Sequence, residues 1–270
     1  MPYQSILHCK RSAFVFLLAL FLLVCRNANA GWYNVTNYEG QVGTYPVHLS
    51  IQKYESSGDG LTILGSYYYD RHMAPIPLYG KLGEGGKLSL CEIHSDDEYA
   101  KIIIHGSRSP VDVSACPFQL VLAHQSASGY WTEGKQRYEV ALNETARLDD
   151  SGRDFVLTDK FEIPFWGQTA QHMFIGAYEP NDAGNRGVRV TVKVMNKSSR
   201  QLVQIIQPED DCLFGFFTTP IYMNIESDIS DGYGPHGPEK IIFNCHSPKI
   251  LQFSFYRLNK STRKFKLVPD

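Results

Sequence analysis

The stretch Asp228-Ile229-Ser230-Asp231-Gly232-Tyr233 is where residue types and spacing in this chain come nearest to a chemical function. It sets oxygen-bearing side chains around a glycine, as calcium loops of the D-x-[DN]-x-[DN]-G type do. The spacing is one residue short, and residues 234–238 (GPHGP) stand where later ligands would come. Asp228, Ser230 and Asp231 therefore offer fewer oxygens than the roughly six to eight that calcium takes. A polar turn is the expected reading, with calcium the one cofactor left as an alternative.

Signatures of catalysis are missing. There is no G-x-S-x-G nucleophile elbow and no H-E-x-x-H metal helix. Residues 83–87 (GEGGK) look phosphate-binding at a glance, but a P-loop needs glycine where Lys81 sits and Ser or Thr where Leu88 sits. A hairpin turn is expected there. Histidines are scattered, with His94 and His105 facing outward from strands or capping turns. The acidic runs Asp96-Asp97-Glu98 and Glu209-Asp210-Asp211 could supply the paired carboxylates of a glycosidase. Solvated loop charge is the simpler account, and no enzyme is expected. Aromatic runs at 67–69 (YYY), 130–131 (YW) and 161–166 (FEIPFW) offer binding surface of low entropy cost. Strand geometry buries about half of any such run, so each ring is first a core candidate.

The chain's own address is clearer. Lys10 and Arg11 precede an apolar run over residues 13–25, and Ala28-Asn29-Ala30 offers a small-residue cleavage site. These are the parts of a secretory signal peptide, and the run is short of the ~20 apolar residues a membrane-spanning helix needs. Val24 before Cys25 argues against lipidation. Cleavage is expected after Ala30, giving a periplasmic or secreted protein with no transmembrane segment. Three of the 26 basic residues and none of the 28 acids lie in the signal, so the mature chain carries a formal charge of −5. That excludes the basic footprint of a nucleic-acid binder and suits a basic partner.

Four cysteines remain after the signal: Cys91, Cys116, Cys212 and Cys245. An even number in an exported chain reads as disulfides, with three connectivities open. Cys91–Cys116 with Cys212–Cys245 is favoured, because each bridge then closes a loop within one half of the chain. Zinc is the rival, though no pair has C-x-x-C spacing. Sequons stand at Asn34, Asn143, Asn196 and Asn259 and bear glycans only in a eukaryotic setting.

The elements that must position these residues are short strands. Val47, Leu49 and Ile51 alternate with His48, Ser50 and Gln52, and Val188, Val190, Val192 and Val194 alternate with polar neighbours and Met195. Such a period of two puts an apolar face inward and a polar face toward solvent. Residues 61–71, 88–93, 99–105, 118–124, 138–142, 202–207, 240–244 and 251–258 read the same way. Turn signals separate them, as at 57–60 (SGDG) and 182–187 (DAGNRG). An all-β fold follows, propeller-like or another closed multi-sheet architecture of short antiparallel strands with no substantial helix after the signal. A soft boundary at residues 143–153 divides an N-terminal half (31–150) from a C-terminal half (151–270), which can form one closed domain. No exact internal repeat is visible.

Residues 190–206 (VTVKVMNKSSRQLVQII), 227–243 (SDISDGYGPHGPEKIIF) and 255–265 (FYRLNKSTRKF), with 40–49 (GQVGTYPVHL) and 65–80 (GSYYYDRHMAPIPLYG), carry a family resemblance. Together they resemble exported bacterial β-propeller-like proteins that inhibit, or give immunity against, lysozyme-like peptidoglycan hydrolases. The resemblance covers about half of the mature chain. It implies a protein partner and an acidic loop that holds calcium in some members; Asp228, Asp231 and Gly232 match that loop, while the insertion through Pro238 departs from it. Lysozyme inhibitors block their targets with a small Ser-Gly loop and a nearby tyrosine, and Ser128-Gly129-Tyr130 is similar to that pattern. The expected function is thus a non-enzymatic inhibitor of a peptidoglycan hydrolase. The alternative, resting on aromatics and acidic loops, is a carbohydrate-binding or carbohydrate-active envelope protein.

Overall fold

A computed structural model describes residues 33–54, 60–105, 110–149, 155–180, 188–208, 221–228, 240–246 and 251–268. Residues 32–270 form one compact unit. The fold is all-β. Eight antiparallel strands follow one another as a meander: β1 (Asn34–Val42), β2 (Tyr45–Lys53), β3 (Ile63–Tyr69), β4 (Ile76–Leu82), β5 (Lys87–Glu92), β6 (Phe118–Leu122), β7 (Ser126–Glu133) and β8 (Gln136–Asp149). β1 pairs with both β2 and β8, so the sheet closes into a barrel, and the short β9 (Val156–Leu157) extends the far end of β8. Closure satisfies every interior strand edge. Two four-stranded antiparallel sheets follow. One holds β10 (Glu162–Gln168), β11 (His172–Pro180), β12 (Val188–Asn196) and β13 (Leu202–Ile206); the other holds β14 (Ile225–Asp228), β15 (Lys240–His246), β16 (Leu251–Asn259) and β17 (Lys264–Leu267).

Alternation fills the barrel with side chains. Tyr38, Leu49, Ile63, Tyr67, Leu78, Leu90, Phe118, Leu120 and Val140 belong to one buried cluster inside it. Each such apolar side chain contributes about 1.5–3 kcal/mol by leaving water. Eight strands give an interior just wide enough for this packing. Gly40 marks a tight point of the wall, where a Cβ would lie 2.0 Å from the Ala141 carbonyl oxygen on β8.

The barrel's outer face is covered over β1–β4, and here the polar half of the alternation departs from expectation. Ser50, Gln52 and Ser66 point away from the interior, yet they are only 2 %, 3 % and 0 % exposed. Ser50 Oγ shares a hydrogen bond with the Tyr222 hydroxyl, Gln52 Oε1 accepts from the Ile221 amide, and Ser66 Oγ donates to the Pro164 carbonyl. Trp166 Nε1 donates back to the Gly65 carbonyl at 2.8 Å. Buried polar groups persist only when so satisfied. Around them Val35, Leu64, Leu148, Phe161, Phe165, Phe174 and Phe243 build the second, larger core cluster. The two C-terminal sheets are joined by Gln204, whose side-chain amide donates to the Phe265 carbonyl and accepts from the Phe265 amide, mimicking a strand pair.

Two further departures have local causes. Residues 99–105 are helical: a turn over Asp96–Tyr99 continues in a wider one over Ala100–Ile104. Ser95 accepts from the Glu98 amide and Glu98 accepts from the His94 amide, a close relative of the capping box. The acids Asp96, Asp97 and Glu98 fill the first turn, where the helix dipole favours negative charge. A near-repeat also joins the sheets. Asn196-Lys197-Ser198-Ser199-Arg200 turns β12 into β13, and Asn259-Lys260-Ser261-Thr262-Arg263 turns β16 into β17. In each, the asparagine Oδ1 accepts from the next turn amides and its carbonyl accepts from the arginine amide. Arg200 and Arg263 both adopt positive φ, 57° and 52°.

Cys91 and Cys116 form the expected disulfide, with Cα atoms 4.5 Å apart. Residues 83–87 are the expected hairpin turn between β4 and β5. The turn signals at 57–59, 182–187 and 234–238, the acidic run 209–211, Cys212, Ser230 and Asp231 lie outside the described residues, as do the side chains of Asp228 and Cys245.

Candidate functional site

One mouth of the barrel is a concave site. β1 turns Asn34, Thr36 and Tyr38 into it, β2 turns Ile51 and Lys53, and Ile63 and Leu82 add an apolar floor. Leu122, Ala123 and His124, where β6 leads into β7, form the opposite rim. β8 supplies Glu144, Arg147 and Asp149. Strict alternation would send 144 and 147 to opposite faces, but the pairing of β8 with β1 shifts register beside Thr145. This bulge re-aims the strand, so all three charged side chains reach one cavity of about 280 Å³.

The charges there are already arranged. Arg147 donates from Nε and Nη2 to the two Glu144 carboxylate oxygens, at 3.1 and 2.8 Å, a bidentate fork. That bond holds the guanidinium charged, its pKa raised further above the usual arginine value. Asn34 Nδ2 donates to Asp149 Oδ2 at 2.8 Å. Tyr38 lies at the base, where burial and then the Glu144 charge raise its hydroxyl pKa. The site can exchange hydrogen bonds with a small polar ligand over an apolar floor.

The other mouth is closed by rings. Tyr45 meets Tyr69 and Tyr138 edge-on, Tyr67 meets Tyr69 and Phe118, and Trp131 packs on Tyr138. Beneath them the Glu92 side chain is 6 % exposed. It accepts from the Tyr67 hydroxyl and from Trp131 Nε1, both at 2.7 Å, and its second oxygen pairs with His94 Nε2 at 3.1 Å. Burial, then the Glu92 charge, push the Tyr67 hydroxyl far above the ordinary phenol range.

Ser128, Gly129 and Tyr130 lie within β7, hydrogen-bonded on both sides to β6 and β8, where a loop was expected. Tyr130 is 44 % exposed on the outer wall and carries the Arg137 guanidinium 3.6 Å above its ring. Trp131 faces the interior, as period two demands. Gly129 is needed where it stands: its φ is +156°, and a Cβ there would sit 2.2 Å from the Gln119 carbonyl oxygen. Ser128 and Tyr130 share their exposed face with Gln119, Val121, Glu139 and Ala141. His94 and His105 face solvent as expected.

Glu144, Arg147 and Asp149 escaped the sequence reading because the apolar residues Val140, Leu142, Ala146 and Leu148 all keep one parity across the bulge, with Glu144 the single interruption. Val140 and Leu142 nevertheless pack inside the barrel, whereas Ala146 and Leu148 pack in the cluster outside it. Comparison with family models, with curated proteins and with solved structures finds no match for this chain.

Proposed function

We propose that the protein is an exported, non-enzymatic binding protein that neutralises a lysozyme-like peptidoglycan hydrolase, docking through the barrel wall around Tyr130. The observation that carries this reading is the exposed Tyr130–Arg137 pair. A ring held beneath a guanidinium has little side-chain freedom left to lose on docking, and tyrosine and arginine dominate interface energetics. Ser128 and Ala141 beside it are small and exposed, which leaves the ring standing clear of the wall. Glu39 and Glu139 are also exposed on β1 and β8. With the charge of −5 beyond residue 30, they favour a basic partner, since complementary fields speed encounter. The secretory signal and the resemblance carried by residues 190–206 and 255–265 support the same reading.

Affinity capture from the native envelope tests it. A stoichiometric hydrolase is expected, inhibited by the protein, with Tyr130→Ala weakening inhibition by about 2 kcal/mol. Retention on peptidoglycan without a protein partner would overturn the reading.

A further inference from the structure

We propose that the open mouth of the barrel is a binding site for a single neutral saccharide ring, held by Thr36, Lys53, Glu144 and Arg147. The site is separate from the outer wall: its lining comes from side chains turned inward on β1, β2 and β8, whereas Tyr130 is turned outward on β7.

Charge decides against an ionic ligand. The lining holds two basic side chains, Lys53 and Arg147, and two carboxylates, Glu144 and Asp149. Glu144 takes the Nε/Nη2 edge of Arg147, so a carboxylate or phosphate reaching its remaining N–H groups would have to lie beside the Glu144 carboxylate. An entering anion would meet Glu144 and Asp149 at close range, and an entering cation would meet Lys53 and Arg147. What the site keeps available is capacity for hydroxyl groups. A carboxylate has about four lone-pair positions, and the Arg147 fork uses one on each oxygen of Glu144, which leaves others to accept from hydroxyl groups. Arg147 retains N–H donors beyond the fork and Lys53 adds more, while the Thr36 hydroxyl, which donates to Tyr38, keeps lone pairs that accept.

Shape decides the rest. Ile51, Ile63 and Leu82 present an apolar floor to those polar walls, so the ligand needs a C–H face and a hydroxyl-bearing edge. A pyranose ring has both. A volume of about 280 Å³ lies just below the ~300–1,000 Å³ usual for small-molecule sites. It holds one ring, and further units of a glycan would leave through the mouth past Ala123 and His124.

Titration of the purified full-length protein by calorimetry and NMR is the test. Glucose, galactose and N-acetylglucosamine serve as neutral probes, with inorganic phosphate and glycine as ionic ones. At least one neutral sugar is expected to saturate, shifting the His124 imidazole and Arg147 Nε resonances. Thr36→Val should weaken it roughly tenfold, the scale of a lost hydrogen bond to charged or polar partners. Ala123→Trp, at an exposed rim position, should abolish binding while leaving thermal unfolding unchanged. Tyr130→Ala should leave sugar affinity as it was, so failure of the outer-wall reading and failure of this one are told apart. Absence of saturable sugar binding, binding that survives Ala123→Trp, or competition by phosphate or glycine would each overturn the proposal.

Discussion

Ser50 and Tyr222, 172 positions apart, share a buried 2.8 Å hydrogen bond that ties the barrel wall to the turn before β14. Ser50 Oγ also donates to Asn37 Oδ1 at 2.7 Å, so the Tyr222 hydroxyl is the donor of the pair, and removing either partner costs about 1–3 kcal/mol. Tyr222→Phe and Ser50→Ala should each destabilise by that amount in urea unfolding. The double variant should lose clearly less than the sum of the two. Strict additivity would show that the bond contributes nothing.

This pair also marks how far the sequence could be read. Alternation in β2 and β12 identifies strands and their apolar faces, because period two is a local property. It does not tell what lies over the polar face. Ser50, Gln52 and Ser66 look solvent-facing until Pro164, Ile221 and Tyr222 arrive from over ninety positions away. The mouth site is hidden for a second reason: the bulge at Thr145 switches faces while the apolar residues resume the same parity after Glu144. Two signals were present and local. Ser95-Asp96-Asp97-Glu98 has the form of a capping box, and Asn196–Arg200 and Asn259–Arg263 are near-identical pentapeptides that set matching turns. That Tyr130 and Trp131 face opposite ways on any shared strand was legible, but which of them faces outward and the strand beneath Ser128 were not, since Ser-Gly also suits a turn.

The Cys91–Cys116 bridge closes a segment with a sequence separation of 25 and spans the helical turn between β5 and β6. In the chain-entropy picture such a loop stabilises by about 3 kcal/mol. Replacing both cysteines with alanine should lower the unfolding free energy by about that much. Alkylation of the unreduced protein followed by peptide mapping should leave Cys91 and Cys116 unlabelled; label at either contradicts the bridge.

Burial raises the hydroxyl pKa of Tyr67, Tyr178 and Tyr222 well above the usual phenol value. In the unfolded chain these groups ionise near pH 10. The folded state therefore holds its protons to higher pH, so their contribution to stability is complete below about pH 10 and falls as pH rises above it. Unfolding free energy should drop steeply beyond about pH 10, and Tyr222→Phe should make the slope shallower. A curve still flat near pH 11.5 would contradict the burial of these hydroxyls.

Gly129 and Tyr130 are neighbours with opposite duties, and their variants should separate fold from binding. An alanine at 129 would place its Cβ 2.2 Å from the Gln119 carbonyl oxygen, at a φ of +156° that L side chains rarely adopt. Gly129→Ala should therefore destabilise by about 3 kcal/mol or more, through backbone strain in the wall. Trp131→Ala should cost a similar amount, because it empties interior volume and takes a donor from the buried Glu92 carboxylate. Tyr130 stands on the outer wall, exposed and with Arg137 over its ring. Its truncation to alanine should shift stability by less than about 1 kcal/mol, the range of a surface substitution that loses one exposed cation–π contact. Urea unfolding of the three variants decides the matter. A loss for Tyr130→Ala as large as that for Gly129→Ala would make Tyr130 part of the wall's own packing. The hydrolase-binding reading would then have no residue on the barrel through which to act.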